Sequence, residues 1–201
     1  MKIAIISVAP PFRGGIAANT SQLIQTLSLN HEVVCYNYKR QYPEFLFPGK
    51  TQYLEPKEYI DQSVECLDSI NPITWFNVAK KIKNDNYDFI LIRFWNPFFA
   101  PMLVTIIRRI KRNNNTIKLI GLYDNLLPHE AQFYDRKFTT SFINELDGHI
   151  VQSSKVKTEL LELDKSAKIC TLFHPLYTKY GELKSKDESR NKLGIKSKFS
   201  I

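Results

Sequence analysis

The sequence predicts an α/β protein, a Rossmann-like three-layer sandwich with a mostly parallel sheet. Short apolar runs alternate with helical patterns along the chain, and several helices begin at recognisable caps. At 201 residues and 43% hydrophobic, the chain can bury the core of one such domain. The predicted strands are 2–7, 32–38, 88–93, 117–122, 148–152 and 168–172, and the predicted helices are about 16–28, 72–84, 100–112, 134–146 and 155–163.

The first strand leads into a turn with the chemistry of an anion site. Arg13, Gly14 and Gly15 follow a proline-bearing loop and open the first helix. A helix N-terminus at such a turn places unpaired N–H groups and the positive end of the helix dipole at one point. Phosphate is the usual ligand of such a site. The alternative is that the two glycines only supply the positive φ angles of a tight turn.

Two later helices have readable starts. Asn71 and Pro72 supply a cap and a proline at the first helical position, and the pair Ser153 and Ser154 caps the helix after strand 148–152. Residues 39–70 do not follow the alternation of predicted strands and helices seen in the rest of the chain. A loop of this length predicts a lid, an acceptor-binding segment or a membrane contact, unless it folds over and fills its own small core. The aromatic residues in it are Tyr42, Phe45 and Phe47.

Residues directly after the strands matter most, because open α/β sheets place ligands at the carboxyl ends of their strands. Arg93 and Trp95 follow strand 88–93 and are predicted to bind substrate, with Arg93 as a strong hydrogen-bond donor in an aromatic-rich loop.

A second cluster, from Asp124 to Glu130, follows strand 117–122 and places two carboxylates and His129 within seven residues. Such a cluster can supply a general base for a hydroxyl. The structural alternative is that Asp124 and Asn125 form an Asx turn while His129 and Glu130 open a helix.

The formal net charge of +8 raises the question of a partner. No nucleic-acid-binding signature is present, so nucleic acid is not expected. The basic residues gather at 108–112, at the end of a predicted helix, and between 179 and 198. These clusters are either solvated faces or sites of attraction to anionic lipid headgroups or a phosphate-bearing substrate.

Several classes of protein are excluded by the sequence. The three cysteines are too far apart for a CxxC pair or a disulfide framework. The apolar runs fall short of the roughly 18 residues of a membrane span, and the start lacks signal-peptide anatomy, which predicts a cytoplasmic protein. Neither a G-x-G-x-x-G fingerprint, a P-loop nor an Asp-x-Asp pair for a divalent metal occurs.

Seven blocks in order along the chain resemble the N-terminal half of bacterial family 4 glycosyltransferases. They are Arg13 to Ala17, Arg40 to Lys50, Asn71 to Trp75, Trp95 to Pro101, Asp124 to Glu130, Val151 to Ser154 and Phe173 to Tyr177.

The resemblance implies one half of a GT-B enzyme, in which two Rossmann-like domains face a cleft. It also implies a retaining transfer from a nucleotide sugar, without a metal or other cofactor, to a glycan or lipid-linked acceptor in surface polysaccharide synthesis. The enzyme would work in the cytoplasm, with the inner face of the membrane as a second location. In this reading Arg13, Gly14 and Gly15 approach the donor diphosphate, Asp124 and His129 are catalytic, and Arg93, Trp95, Asn125 and Glu130 bind substrate.

The chain departs from the family pattern at two points. Asp124 stands where many relatives carry His in a His-Asn-x-x-Pro-His-Glu pattern, although His129 keeps the second His. The paired glutamates of the family's donor-binding domain have no counterpart. We therefore predict an acceptor-side domain over 1–195, the start of a truncated donor-binding domain at 196–201, and little transfer by the chain alone. The alternatives are a non-catalytic binding domain of the same fold and half of a nucleotide-sugar epimerase.

Overall fold

The computed structural model describes residues 1–43, 51–112, 117–128, 130, 132–175 and 181–195. Seven strands form in this part of the chain: β1 (Lys2–Ile6), β2 (Glu32–Arg40), β3 (Ser63–Asp68), β4 (Phe89–Phe94), β5 (Lys118–Tyr123), β6 (Gly148–Val151) and β7 (Ile169–Thr171). Six α-helices accompany them: α1 (Gly15–Ser28), α2 (Pro72–Asn84), α3 (Ala100–Lys111), α4 (Phe133–Ile143), α5 (Ser154–Leu163) and α6 (Lys186–Lys192).

The strands form one parallel sheet in the order β3-β2-β1-β4-β5-β6-β7. Alternate residues of each strand point to opposite faces, so Ala4 and Ile6 join the larger core, with α2, α3, α4 and α5. Ile3 and Ile5 face the other way and pack with Ile24 of α1. The predicted three-layer sandwich with a parallel sheet is confirmed.

The edge strand β3 corrects the expectation of a long loop over 39–70. β2 extends to Arg40, and β3 pairs with it through an irregular register that matches Cys35 with Ser63 and Tyr38 with Leu67. Most of β3 is only half-buried, so its sequence lacks the apolar run that predicts a strand. Of the loop aromatics, Tyr42 is described, whereas Phe45 and Phe47 lie outside the described residues.

Part of this segment fixes the loop that precedes the glycine turn. Phe12 forms an antiparallel bridge with Tyr53, and their ring centroids lie 4.8 Å apart. The Arg13 N–H donates to the Gln52 carbonyl over 2.9 Å, and the Leu54 N–H donates to the Pro11 carbonyl over 2.8 Å. Residues 52–54 therefore hold residues 11–13, which lead into the glycine turn and α1, in place.

Helix α6 is a second element that the sequence prediction lacked. Ser185 caps it in a box with Glu188, in which the Ser185 hydroxyl accepts from the Glu188 N–H and the Glu188 carboxylate accepts from the Ser185 N–H. The predicted domain boundary after 195 stays a prediction, since residues 196–201 lie outside the described part.

Among the described residues, no helix covers one face of the sheet along β4, β5 and β6. Phe89, Leu91, Ile120 and Ile150 line an apolar groove of about 720 Å³ across β4, β5 and β6. Parallel sheets normally have both faces covered. The helices that follow β4, β5 and β6 in the described residues pack on the opposite face, into the larger core.

No helix among the described residues is both long and apolar enough to cross a bilayer. The described part of the chain also holds no cluster of three or more His, Cys, Asp and Glu side chains that could bind a metal ion.

A buried tyrosine–histidine pair links the end of β5 to the start of β6. The Tyr123 hydroxyl and His149 Nδ1 lie 2.8 Å apart, and both side chains are buried. Burial lowers the pKa of His149 from its ordinary value of 6.5, and the nearby charge of Asp164 opposes this shift. The folded chain therefore holds His149 neutral at a pH where the unfolded chain protonates it.

We expect this pair to make stability pH-dependent. Because the unfolded chain binds the extra proton, the His149 contribution is complete above the unfolded pKa of about 6.5 and declines as the pH falls toward the lower folded pKa. Urea unfolding at about pH 7.5 and about pH 5.5 measures the change. His149→Asn should reduce the difference in unfolding free energy between the two pH values. An unchanged difference in this variant would contradict the assignment to His149.

Candidate functional site

The candidate site lies at the carboxyl ends of β1, β4 and β5. β1 and β4 are neighbours in the sheet, but α1 leaves β1 over one face and α3 leaves β4 over the other. This reversal is a topological switch point, where open α/β sheets form a ligand crevice. The glycine turn, Arg93, Trp95 and Asp124 all follow or end these strands.

Of the two glycines in the turn, only Gly14 has a positive φ angle, because Gly15 is already the first residue of α1. Gly14 adopts φ 119° and ψ 167°, a conformation that is essentially restricted to glycine, and it precedes α1 without a side-chain cap. Arg13, Gly14 and Gly15 are exposed. The turn therefore needs a glycine for backbone reasons, and it also presents the N-terminus of a 14-residue helix at the switch point.

Arg93 lies beneath the site and is only 1% exposed. Its Nε donates to Asp124 Oδ2 over 2.6 Å, and its Nη2 donates to Asp124 Oδ1 over 2.5 Å. Its Nη1 donates to Asn19 Oδ1 over 2.6 Å and to the Thr20 hydroxyl over 3.2 Å. Arg93, predicted to bind substrate, thus points into the protein and in this arrangement holds Asp124.

The hydrogen bonds continue from Arg93 to the end of β1. The Thr20 and Ser7 hydroxyl oxygens lie 2.8 Å apart, and the Thr20 hydroxyl also donates to the Ile16 carbonyl over 2.9 Å. Asn19, Thr20 and Ser7 are buried, and sequence reasoning missed all three. The signal for Asn19 and Thr20 was the presence of polar residues on the first two turns of a helix that packs against the sheet, and Ser7 was a polar residue at the end of the predicted strand 2–7.

Asp124 is the exposed end of this network, with 15% of its side chain accessible. Its N–H donates to the Phe94 carbonyl over 3.1 Å, which continues the pairing of β4 and β5 by one residue. Both carboxylate oxygens accept from Arg93 instead of closing the Asx turn that was the structural alternative. Each oxygen still has a further lone pair with which to accept a hydrogen bond.

A small polar pocket of about 190 Å³ lies at the same edge of the sheet. It combines Trp95 and Asn125, both predicted to bind substrate, with residues of α5. Below the ~300–1,000 Å³ typical of ligand pockets, it suits a small polar group such as one sugar ring. The described lining residues are Trp95, Asn96, Asn125, Leu127, Pro128, Lys155, Val156 and Glu159.

Sequence reasoning did not assign a role to the charged pair in this pocket. Lys155 and Glu159 lie one turn apart on α5, and their charged atoms are 3.9 Å apart. The helix begins at Ser154 after the cap residue Ser153, whose hydroxyl accepts from the Val156 N–H over 3.2 Å. The cap thus sets the position of both charges at the pocket wall.

Trp95 is held at the pocket by an aromatic cluster. Its indole N–H donates to the Tyr42 hydroxyl over 3.1 Å, and its ring packs 4.6 Å from that of Phe99. Tyr38 meets it edge-on at 6.0 Å. Trp95 is therefore half-buried and fixed in orientation, and Tyr42 of the long connecting segment contributes to that fixing.

Of the remaining predicted residues, Glu130 is described and His129 is not. Glu130 is exposed, and its carbonyl accepts from the Gln132 side-chain amide over 3.5 Å. His129, predicted to be catalytic, lies outside the described residues. The roles of both residues stay predictions.

Searches for related proteins give structural matches only. No protein-family profile matches the chain, and no curated protein sequence matches it. An α-glucosyltransferase in complex with UDP and a 13-mer DNA containing a central A:G mismatch matches with a TM-score of 0.54 and 12% identity. The match covers 90% of this chain and 42% of that one.

Two further solved structures also match the chain. An α-glucosyltransferase in complex with UDP matches with a TM-score of 0.54 and 10% identity, over 88% of this chain and 44% of that one. A sucrose-phosphate synthase from Thermosynechococcus elongatus matches with a TM-score of 0.50 and 14% identity, over 96% of both chains.

The fold is the Rossmann-like fold of GT-B glycosyltransferases. This confirms the fold that the sequence predicted, and at these identities it shows the fold alone. The chain spans less than half the length of the two α-glucosyltransferase structures. Membership of family 4 and the N-terminal position of the domain stay predictions, as does the expectation that nucleic acid is not a partner.

Proposed function

We propose that this chain is the acceptor-side, N-terminal half of a retaining, metal-independent glycosyltransferase of family 4. The intact enzyme would move a hexose from a nucleotide sugar to a glycan or lipid-linked acceptor in surface polysaccharide synthesis. It would act in the cytoplasm or at the inner face of the membrane. The facing domain would hold most of the nucleotide, so the chain alone would transfer little sugar.

The observation that carries this proposal is the network from Asp124 through Arg93 to α1. It joins the helix that begins at the glycine turn to the carboxylate beside the small polar pocket. A sugar transfer between two domains needs these parts together: amides for a diphosphate, a hydroxyl-orienting group and a pocket for a sugar. The network supports the proposal because it fixes the helix and the carboxylate relative to each other.

In this proposal the residues have separate roles. The N-terminus of α1, after Arg13, Gly14 and Gly15, approaches the donor diphosphate. Asp124 accepts a hydrogen bond from a sugar hydroxyl and orients it, and Arg93 is a positioning residue that fixes the carboxylate.

The substrate pocket is assigned to Trp95 and Asn125. His129 and Glu130 keep their predicted roles, with His129 catalytic and Glu130 in contact with substrate.

The test is transfer by the protein expressed from the full reading frame that contains this chain. It should release nucleoside diphosphate from a sugar nucleotide only when an acceptor is present, and a metal chelator should leave the rate unchanged. Gly15→Leu should lower the rate about 100-fold, because a side chain at the first turn of α1 displaces the diphosphate.

Gln25→Leu is the matched control, since it adds the same side chain to an exposed position on the same helix, far from its N-terminus. This variant should keep the original rate. Equal turnover in both variants would overturn the assignment of the glycine turn. Hydrolysis or epimerisation without transfer to any acceptor would overturn the proposed reaction.

A further inference from the structure

Two charged side chains on α5 are placed where they add little to the stability of the helix. Lys155 lies in the first turn, at the positive end of the helix dipole, and no acidic residue accompanies it there. Glu159 follows four residues later, which is the less favourable order for an oppositely charged pair on a helix. Their charged atoms are 3.9 Å apart, and the Lys155 side chain is 67% exposed. A pair of this kind contributes little to stability, so helix stability does not explain its position.

Both charges line the small polar pocket beside the candidate site. Glu159 is the more enclosed of the two, since 23% of its side chain is accessible. Val156, which is buried, belongs to the same wall of the pocket. The wall that α5 contributes therefore carries a carboxylate and an ammonium group side by side, with no net charge.

The loops after β4 and β5 supply the other hydrogen-bonding groups of the pocket. Asn96 Oδ1 already accepts from the Phe98 N–H over 2.9 Å, so the amide nitrogen of Asn96 remains to donate. The Trp95 indole N–H already donates to the Tyr42 hydroxyl, so Trp95 offers the pocket an apolar ring. Asn125 is exposed and carries both a donor and an acceptor.

This set of groups matches a neutral sugar ring. A sugar hydroxyl both donates and accepts hydrogen bonds, so neighbouring hydroxyls can bind a carboxylate and an ammonium group together, and the apolar face of the ring suits an indole. A charged sugar would be attracted by one member of the Lys155–Glu159 pair and repelled by the other. Nothing in the pair would then offset the cost of removing that charge from water.

We propose that Lys155 and Glu159 select a neutral pyranose as the terminal ring of the acceptor. Glu159 accepts a hydrogen bond from one ring hydroxyl, and Lys155 donates to a neighbouring one. Asn125 directly follows Asp124, so a ring in this pocket lies beside the carboxylate that orients the reacting hydroxyl. The inference rests on the proposed function for the reaction, and it adds the class of acceptor sugar and two residues that determine it.

The experiment measures the binding of methyl glycosides to the 201-residue chain by titration of NMR chemical shifts. The probes are the methyl glycosides of glucose, galactose and mannose, each compared with its uronic acid and 2-amino counterparts. At about pH 6.5 the acids are ionised and the amines are protonated. At least one neutral glycoside should bind, and its two charged counterparts should bind about tenfold more weakly.

Glu159→Gln and Lys155→Met test the two roles separately. Each variant should bind the neutral glycoside about tenfold more weakly, because a hydrogen bond loses its charged partner. Glu159→Gln should also bind the uronic acid glycoside more tightly than the unchanged chain does, and Lys155→Met should do so for the amino glycoside. A purely structural role of either residue would not produce these opposite changes in preference.

Lys157→Met and Glu162→Gln are the matched controls, because they make the same changes at exposed positions of α5 that are not among the described lining residues. Both controls should bind every probe as the unchanged chain does. The proposal is overturned if a uronic acid glycoside binds as tightly as its neutral counterpart, if no glycoside binds, or if the controls lose as much affinity as the pocket variants.

The binding measurement contains no sugar nucleotide and requires no transfer. Binding of a neutral glycoside, without transfer by the protein from the full reading frame, would therefore contradict the proposed function alone. Transfer to an acidic acceptor sugar would contradict the selection by Lys155 and Glu159 alone.

Discussion

Replacing Asp124 with alanine is expected to destabilise the chain by about 3–5 kcal/mol. The substitution leaves the guanidinium of Arg93 almost fully buried without the carboxylate that accepts two of its hydrogen bonds. An unpaired buried charge costs far more than an exposed one. Urea unfolding monitored by circular dichroism, with the midpoint and slope fitted together, measures the change.

Two further variants separate the causes of this effect. Asp124→Asn keeps one acceptor for Arg93 and should cost less than Asp124→Ala. Arg93→Met combined with Asp124→Leu removes both charges and should recover most of the lost stability. If the double variant is as unstable as Asp124→Ala, the unpaired charge is not the cause.

An exposed ion pair provides the matched control. Lys2 Nζ and Glu32 Oε1 are 3.0 Å apart, and the Glu32 side chain is 63% exposed. Glu32→Ala should therefore change stability by only about 0–1 kcal/mol. The expected instability of Asp124→Ala also affects how activity is tested, because this variant would lower transfer through unfolding. Asp124→Asn is therefore the appropriate variant with which to test the role of the carboxylate in transfer.

Replacing Phe142 with alanine is the second large effect, with an expected loss of about 3–5 kcal/mol. Its ring stacks on Phe94 with centroids 4.6 Å apart and meets Tyr123 edge-on at 6.2 Å. All three side chains are fully buried. The substitution removes a large apolar side chain from a close-packed site and leaves a cavity. The unfolding free energy from urea titration measures it.

Phe142 also matters for the site, since Phe94 and Tyr123 are the last residues of β4 and β5. Trp95 and Asp124 follow them directly, so loss of this packing should loosen both. Phe138→Ala is the control on the same helix, because its ring is 40% exposed. We expect it to cost less than about 1 kcal/mol. Similar losses at both positions would show that α4 does not dock through Phe142.

The regular elements of the larger core could be predicted because their signals are local. The predicted strand 88–93 contains the continuous apolar run 89–92, and Asn71 with Pro72 marks the start of a helix whatever the rest of the chain does. β3 and α6 carry weaker apolar signals, since one is a half-buried edge strand and the other has no buried residue. Their positions depend on neighbours or caps more than on their own hydrophobic pattern.

The candidate site was predictable in its location but not in its contacts. The rule that ligands bind at the ends of parallel strands selected Arg93, Trp95 and Asp124 correctly as residues of this edge. It could not show that Arg93 and Asp124 bind each other. That pairing depends on the register of β4 and β5, which matches Arg93 with Leu122 and Phe94 with Tyr123. It also depends on the packing of α1, which brings Asn19 and Thr20 to the guanidinium.

The sequence by itself determined the α/β class, most of the elements and the presence of a glycine-bearing turn before the first helix, because periodicity, caps and turn chemistry act over a few neighbouring residues. Only the tertiary structure decided that Arg93 is buried as a support for Asp124. It also decided that Arg108, at the basic end of α3, pairs with Glu145 and that Lys155 and Glu159 line the polar pocket. These outcomes depend on which distant segments of the chain pack together, because that packing determines which side chains are buried and which charges are paired.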